Sequence, residues 1–295
     1  MAIKFYNNSS ETINLPDFIN EVSQRIEFGN EDSLLQCVDL LFKLSNNKTF
    51  FVDYLNELII DKKNQSKNPY SEQSFLICDC PSFYVRMTYW PILSNNEKVR
   101  ASQNDLFSYG FVHDHNFSLL TANYYGDGYI TKLWEYDHNS IIGYVNEDVN
   151  IKFLEETTLS PGKALYYRPS KDIHSQYAPL EEDSLAINII LKSYKQFEHK
   201  QYAFDIENKK IKQVIKGSSA SKYSMINLTS FFHNDKTIEL LENLYINPNN
   251  VIEARQEALL NLYKITNDIN YYKSGTRSES DKIIAFSKMK LDDFN

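Results

Sequence analysis

Apolar residues recur every three to four positions at both ends of the chain and every second position in its middle. Near the start, Phe18, Ile19, Val22 and Ile26 follow Pro16, a proline placed where a first helical turn accepts one. Gly29 and Asn30 stop that helix, and Asn30 is suited to cap the next. Leu34, Leu35, Val38, Leu41 and Phe42 predict a second helix, and Phe51, Tyr54, Leu55, Leu58 and Ile59 a third. The polar run 61–72 reads as a linker. From Phe75 the period becomes two, predicting strands at 75–78, 83–90, 109–112, 118–124, 129–136, 151–153, 164–168, 173–178 and 185–191. Turn signals divide them: Gly126-Asp-Gly, Asp137-His-Asn-Ser, Ser160-Pro-Gly and Pro169-Ser-Lys-Asp. Short strands without intervening helices predict antiparallel pairing rather than a βαβ sheet. After Ser218 the helical period returns, with Ile238, Leu241, Leu244 and Tyr245 in one stripe and Ile252, Leu259, Leu262, Tyr263 and Ile265 in another. The expectation is a mainly β protein of three parts: an N-terminal helical segment (1–74), a β-domain (75–217) and a C-terminal helical segment (218–295).

Composition narrows the class. The chain of 295 residues is 42% hydrophobic and 24% charged, with 8 Gly and 8 Pro, which excludes disorder and low-complexity architectures. A formal charge of −8 argues against nucleic acid or an anionic membrane as partner. No apolar run approaches the ~20 residues needed to cross a bilayer. The N-terminus lacks the basic and apolar regions of a secretory signal, and three cysteines do not make a disulfide framework. These features predict a cytoplasmic protein.

Six histidines carry the candidate chemistry. Two form His113-Asp-His115, and residues two apart in an extended chain face one side, where both imidazoles can chelate one metal. Downstream, Gly162-Lys-Ala-Leu-Tyr-Tyr-Arg-Pro169-Ser-Lys-Asp-Ile-His174 joins a glycine, a strand, a proline turn and a third histidine. The pair of segments resembles the two motifs of the cupin superfamily over roughly residues 75–195. That resemblance implies an antiparallel double-stranded β-helix, the cupin jelly roll, with helical extensions at both ends, and a metal held by His113, His115 and His174. Four departures stand out. Leu119 occupies the position of the usual motif carboxylate, the Gly-to-Pro gap is one residue longer than usual, and Lys171 and Ala178 replace a common Gly and Asn.

With Leu119 in that place, three neutral imidazoles remain. Within the cupins the pattern is similar to the three-histidine, cysteine dioxygenase-like thiol dioxygenases. Those enzymes carry a Tyr-x-Arg upstream at nearly the distance of Tyr84-Val-Arg86, and the resemblance implies that Arg86 grips a substrate carboxylate beside Tyr84. Arg suits that role as a bidentate carboxylate binder. Gln176 shares a strand face with His174, and Tyr124 and Trp134 are further candidates for lining the substrate pocket. Glu135 reads as a solvated strand residue, with a displaced ligand or an acceptor for an imidazole N–H as the alternative. Cys78 and Cys80 read as buried strand thiols, since three cysteines cannot build a four-cysteine zinc site. His138, His199 and His233 have no chelating spacing and read as structural or surface residues.

The reading that follows is a mononuclear iron(II) dioxygenase, an oxidoreductase acting on a small carboxylate-bearing, amino-acid-like substrate with O2. The same donors also accept Zn, Ni, Mn, Co or Cu. The alternatives are a non-oxidative cupin, either a metal-dependent isomerase or hydrolase, or a small-ligand-binding regulatory module. The helical segments are the expected place for a homodimer contact.

Overall fold

The computed structural model describes residues 3–60, 71, 73–215 and 217–294, so the expected linker at 61–72 lies almost wholly outside the described residues. The chain divides into two compact units. The first comprises 1–136 and 150–193, and the second 137–149 and 194–295.

In the first unit, β1 (Ile3–Tyr6) precedes α1 (Leu15–Arg25), α2 (Glu31–Leu35), α3 (Val38–Asn46) and α4 (Phe50–Ile60). Asn14 caps α1 through Asp17 N–H, and Asn30 caps α2 by accepting from Asp32 and Ser33 N–H. The single helix expected around 34–42 is split. The Cys37 N–H bonds Leu34 O, and this tight turn separates α2 from α3. Two further strands, β2 (Ser74–Asp79) and β3 (Phe83–Trp90), lead to α5 (Glu97–Leu106), a helix the apolar pattern did not predict. No residue of α5 is buried, so it has no apolar stripe, and its one signal is the Asn96 cap on Lys98 and Val99 N–H. Next come β4 (Leu119–Tyr125), β5 (Ile130–Glu135), β6 (Lys152–Thr158), β7 (Lys163–Tyr167), β8 (Asp172–Tyr177) and β9 (Ser184–Leu191). The strand expected at 109–112 is absent; a single bridge between His113 and His174 stands near its place.

These strands make a six-stranded sheet, ordered β1-β7-β4-β9-β3-β2, and a three-stranded sheet, ordered β6-β5-β8. Every pairing is antiparallel. The chain crosses between sheets after β4, β6, β7 and β8. Alternation gives the large sheet two apolar faces. One carries Val85, Met87, Leu120, Ala122 and Ile187 against Phe18, Val22, Leu40, Leu41 and Phe51 of the N-terminal helices. The other carries Leu119, Leu165, Tyr167 and Ile190, packed on Leu133 of the small sheet. Each fully buried side chain of this size contributes roughly 1.5–3 kcal/mol.

The second unit holds α6 (Lys195–Glu198), a hairpin of β10 (Gln201–Asp205) and β11 (Lys210–Ile215), then α7 (Ser218–Leu228), α8 (Asp235–Ile246), α9 (Ile252–Thr266), α10 (Asn270–Gly275) and α11 (Asp281–Asp292). Leu241, Ala258, Leu259, Leu262, Tyr272 and Ile283 form its core. Gly275 lets α10 approach α11, because a Cβ there would strike the Ser287 hydroxyl.

Two sequence expectations change. The protein is mixed rather than mainly β, since 38% of it is helical. The three expected parts, 1–74, 75–217 and 218–295, are also partitioned differently. The first helices cover a sheet that includes β1, whereas 194–215 and the excursion 137–149 group with the C-terminal helices.

Candidate metal centre

Strand β8 presents His174 toward the space between the sheets, directly opposite Leu133 of β5. The backbones of His113 and His174 exchange two hydrogen bonds, His113 N–H to His174 O (3.0 Å) and His174 N–H to His113 O (2.8 Å). That bridge sets the first ring beside the third, and His115, two residues on, returns to the same side. Ring centroids lie 4.9 Å apart for His113–His115, 4.4 Å for His113–His174 and 4.7 Å for His115–His174. One ligand nitrogen from each ring falls within 4.8 Å of the other two.

Neighbouring groups fix these rings. His113 Nδ1 lies 2.9 Å from Phe111 O, which leaves Nε2 to face an ion. His115 stacks on Phe117 at 4.3 Å, and Tyr167 packs on His174 at 4.6 Å. Between the first two histidines, Asp114 is 0% exposed and accepts from the Tyr136 hydroxyl at 2.6 Å. Its carboxylate therefore anchors the loop from beneath. Sequence reasoning passed over Asp114 as the spacer of a His-x-His; no pattern signalled its role.

The electrostatics are those of a cationic pocket lined by neutral bases. Burial pulls the His113 imidazole down to about 4, a fall eased by its bond to Phe111 and deepened by the Arg86 charge. His115 is held well below its ordinary range by burial, then by His174 and His113, then by Arg86. Burial, His113 and Arg86 do the same to His174. All three rings are neutral at pH 7, with lone pairs free to coordinate. Leu119, where the cupin resemblance expects a carboxylate, turns into the apolar core between the sheets.

Arg86 shares this interior. It pairs with Asn188, which pairs with Thr121, which pairs with Leu165, so one cross-strand row carries Arg86 to the face that meets the small sheet. Its Nε is buried and makes no hydrogen bond among the described residues. Tyr84 is on the same face of β3 and packs at the edge of that core. Gln176 follows His174 on the inner face of β8 and pairs with Thr131. The Tyr167 phenol donates to Thr131 Oγ1 at 3.5 Å, and burial and Tyr129 push its ionisation far above the ordinary range.

Two predicted residues, Tyr124 and Trp134, do not join the group, and Glu135 does not take the alternative role of ligand. Tyr124 sits on the opposite face of β4, with its ring against Phe50 at 5.0 Å and Phe51 at 6.1 Å. Trp134 pairs with Ile173 on the outer face of β5 and packs on Phe153 at 5.8 Å. In both, the side chain falls on the wrong side of the strand by one residue. Glu135 is bound by Arg168 (3.3 Å) and Lys152 (3.7 Å), in a charged cluster with Asp172. It is therefore not among the groups that surround the imidazoles. The thiols of Cys78 and Cys80 are free and half-buried, and burial pushes Cys78 up to about 12, so it stays protonated.

A cavity of about 810 Å³ opens elsewhere, among Arg100, Tyr109, Lys132, Glu156 and Tyr177. Lys132 and Tyr177 alternate with the inward Leu133 and Gln176, so this space lies on the outer face and the imidazoles do not line it.

The donor set fits a divalent transition metal. Three neutral nitrogens converge, and the buried His174 Nδ1 has no hydrogen-bond partner among the described residues.

No family model matches the sequence, and no curated protein matches it either. Parts of the chain are similar to solved structures. A DMSP lyase is 14% identical over 40% of this chain and 46% of its own, with a TM-score of 0.24. A cupin protein from Bacteroides fragilis is 17% identical over 38% of this chain and 68% of its own, at 0.23. Hydroquinone 1,2-dioxygenase from Sphingomonas sp. TTNP3, solved with 4-hydroxybenzoate bound, is 9% identical over 45% and 73%, at 0.27. The chain thus spans less than half of the lyase's length. Overlaps of this size are partial, and the chemistry is left to the residues themselves. Among the described residues no helix is long and apolar enough to cross a membrane.

Proposed function

We propose that the two sheets of the first unit are a cupin-type double-stranded β-helix whose His113, His115 and His174 hold one iron(II) ion. We further propose that the protein is a dioxygenase of a small carboxylate-bearing, amino-acid-like substrate. The observation that carries this reading is the partnerless Nε of Arg86, buried beside three neutral imidazoles. The rest of Arg86 is half-buried, a charged nitrogen taken out of water is costly unless paired, and no ion pair joins Arg86 to an acid among the described residues. An incoming carboxylate supplies the missing partner in a bidentate geometry.

When bound, the metal supplies the site where substrate and O2 meet and where the spin-forbidden reduction of O2 becomes accessible. The chain's own residues do the rest. Arg86 orients the substrate through its carboxylate, with Tyr84 beside it on β3. Tyr167 packs on His174 and Gln176 follows His174 on the inner face of β8, and the Tyr129 and Tyr167 phenols remain protonated at neutral pH because burial raises them. By leaving its long 3.5 Å bond to Thr131 Oγ1, the Tyr167 hydroxyl can donate a hydrogen bond to a developing negative charge. Leu119, Leu133, Leu165 and Ile190 exclude bulk water on the far side.

The test is metal analysis of the purified protein, followed by O2 uptake with a panel of small thiol and amino carboxylates. Iron at one equivalent, together with O2 uptake that His174→Ala abolishes, supports the reading. Tightly bound metal without O2 uptake for any panel member would favour a non-oxidative cupin instead.

A further inference from the structure

The second unit contains another convergence of ligand-type side chains. His138 lies in the 3-10 turn 138–140, His199 at the C-cap of α6, and Glu253 in the first turn of α9. Residues from three distant segments meet here. His138 Nε2 is 3.1 Å and His199 Nδ1 is 3.0 Å from the same oxygen, Glu253 Oε1. The two rings meet edge to face at 4.9 Å. We propose that His138, His199 and Glu253 form a second metal site, specific for a zinc-class divalent ion, with its remaining position open to water.

Geometry argues for it first. Ligand atoms around a tetrahedral zinc with bonds of about 2.0–2.1 Å lie about 3.3–3.4 Å from one another. Both nitrogen–oxygen separations are within a few tenths of an ångström of that value, and all three atoms fall within 4.8 Å. Two imidazoles and one carboxylate are a donor set that zinc accepts while keeping a fourth position open. To bind an ion, His138 Nε2 and His199 Nδ1 must each present a lone pair, so each ring would carry a proton on its other nitrogen.

The frame around the three ligands is rigid. Asp137 Oδ1 accepts from Asn139 N–H at 2.9 Å, and the Ser140 hydroxyl donates to Asp137 O at 2.7 Å. The rest of the 137–149 loop is pinned by Glu147, whose carboxylate accepts from the N–H groups of Ile142, Gly143 and Tyr144. At Gly143 φ is +96°, and a Cβ would strike the hydroxyl of Tyr202, whose ring packs beside His138. On the other side, Tyr223 donates its hydroxyl proton to Glu198 O, next to His199. Glu253 is only 4% exposed, and its place in the first turn of α9 puts it at the positive end of that helix.

Charge is also accounted for. Lys282 donates to His138 O at 2.7 Å, and the negative charges of Glu253, Glu147 and Asp137 act on its ammonium group. The pocket is anionic on balance, as a cation requires. His–Glu–His hydrogen bonding alone would also satisfy Glu253, and the experiment is chosen to separate that arrangement from metal binding.

The full-length protein is stripped with chelator and then dialysed against zinc(II). Wild type is expected to take up two equivalents, one at each centre, and His115→Ala one. Adding Glu253→Gln to His115→Ala should weaken the remaining zinc by more than about 100-fold, with the same result for His199→Asn. In the wild-type background, Glu253→Gln should leave one equivalent. Circular dichroism and thermal unfolding show whether each variant is folded. A folded His115→Ala protein that binds no zinc, or a Glu253→Gln variant that still binds as tightly as its parent, would overturn the proposal. Failure at this centre leaves the iron reading of the first unit untouched, because each variant reports on one centre.

Discussion

Each unit contains an arginine drawn in from solvent, and the two are treated in opposite ways. In the second unit Arg255, only 2% exposed, is fully engaged. Its Nε donates to Tyr245 O at 2.8 Å, Nη1 to Glu279 at 2.6 Å and Nη2 to the Ser278 hydroxyl at 3.5 Å. In the first unit Arg86 is half-buried and its Nε has no hydrogen-bond partner among the described residues. Arg255 completes a structural network inside a helical bundle. Arg86 stands beside three neutral imidazoles without a fixed counter-charge among the described residues. An arginine whose bonds are all made within the protein serves the fold; one left short of partners is available to a ligand.

The sharpest test of that contrast removes the bases beside Arg86. His115→Ala should weaken metal at the first centre by more than ~100-fold, beyond the loss caused by altering a group that only supports a ligand. Metal retained at wild-type affinity, measured by competition with a chromophoric chelator, would break the comparison at its root. Next in size, Arg86→Ala should cost about 2–5 kcal/mol in binding of a carboxylate substrate, the usual loss when one member of a buried charge pair is truncated. Its metal content and urea midpoint should stay near wild type, and a large drop in midpoint instead would make Arg86 structural. Arg255→Ala should do the reverse, costing about 1.5–3 kcal/mol of stability for hydrogen bonds lost by a charged group, with first-centre metal unchanged.

Smaller effects refine the picture. Tyr136→Phe deletes the hydroxyl that holds Asp114 and should cost about 1 kcal/mol in urea unfolding, together with a measurable loss of metal affinity. The smallest effect is a pH dependence. The Arg255 guanidinium, aided by backbone and Ser278 bonds, holds the Glu279 carboxyl down at about 2. A carboxyl lowered on folding adds stability that is present above its ordinary value near 4.5 and is lost as pH falls toward 2. Glu279 is exposed at the surface, so solvent screening keeps the effect small. Wild type and Glu279→Gln should differ slightly in unfolding temperature above pH 4.5 and converge near pH 2. Parallel curves throughout would remove the ion pair from the account of Arg255.

Much of this protein was readable from its residues. The change of period at Phe75 reports which segments have one buried stripe and which have a buried face, because side-chain direction repeats every 3.6 residues in a helix and every two in a strand. Asn14 and Asn30 mark helix starts through the bonds their side chains make to free amides. The spacing of His113, His115 and His174 places them together because local geometry joins the first two, and the bridge to β8 supplies the third. What the sequence left open are matters of register and of distance along the chain. Tyr124 and Trp134 were assigned to the pocket, yet a one-residue step in a strand turns each to the other face. Helix α5 buries nothing, so no periodicity betrays it. His138, His199 and Glu253 lie too far apart in sequence for any motif to join them, and only the packing of a loop, a short helix and α9 brings them to one point. Short-range chemistry is written into the order of residues, whereas the meeting of distant segments is decided by the burial of apolar faces, which constrains the whole chain at once.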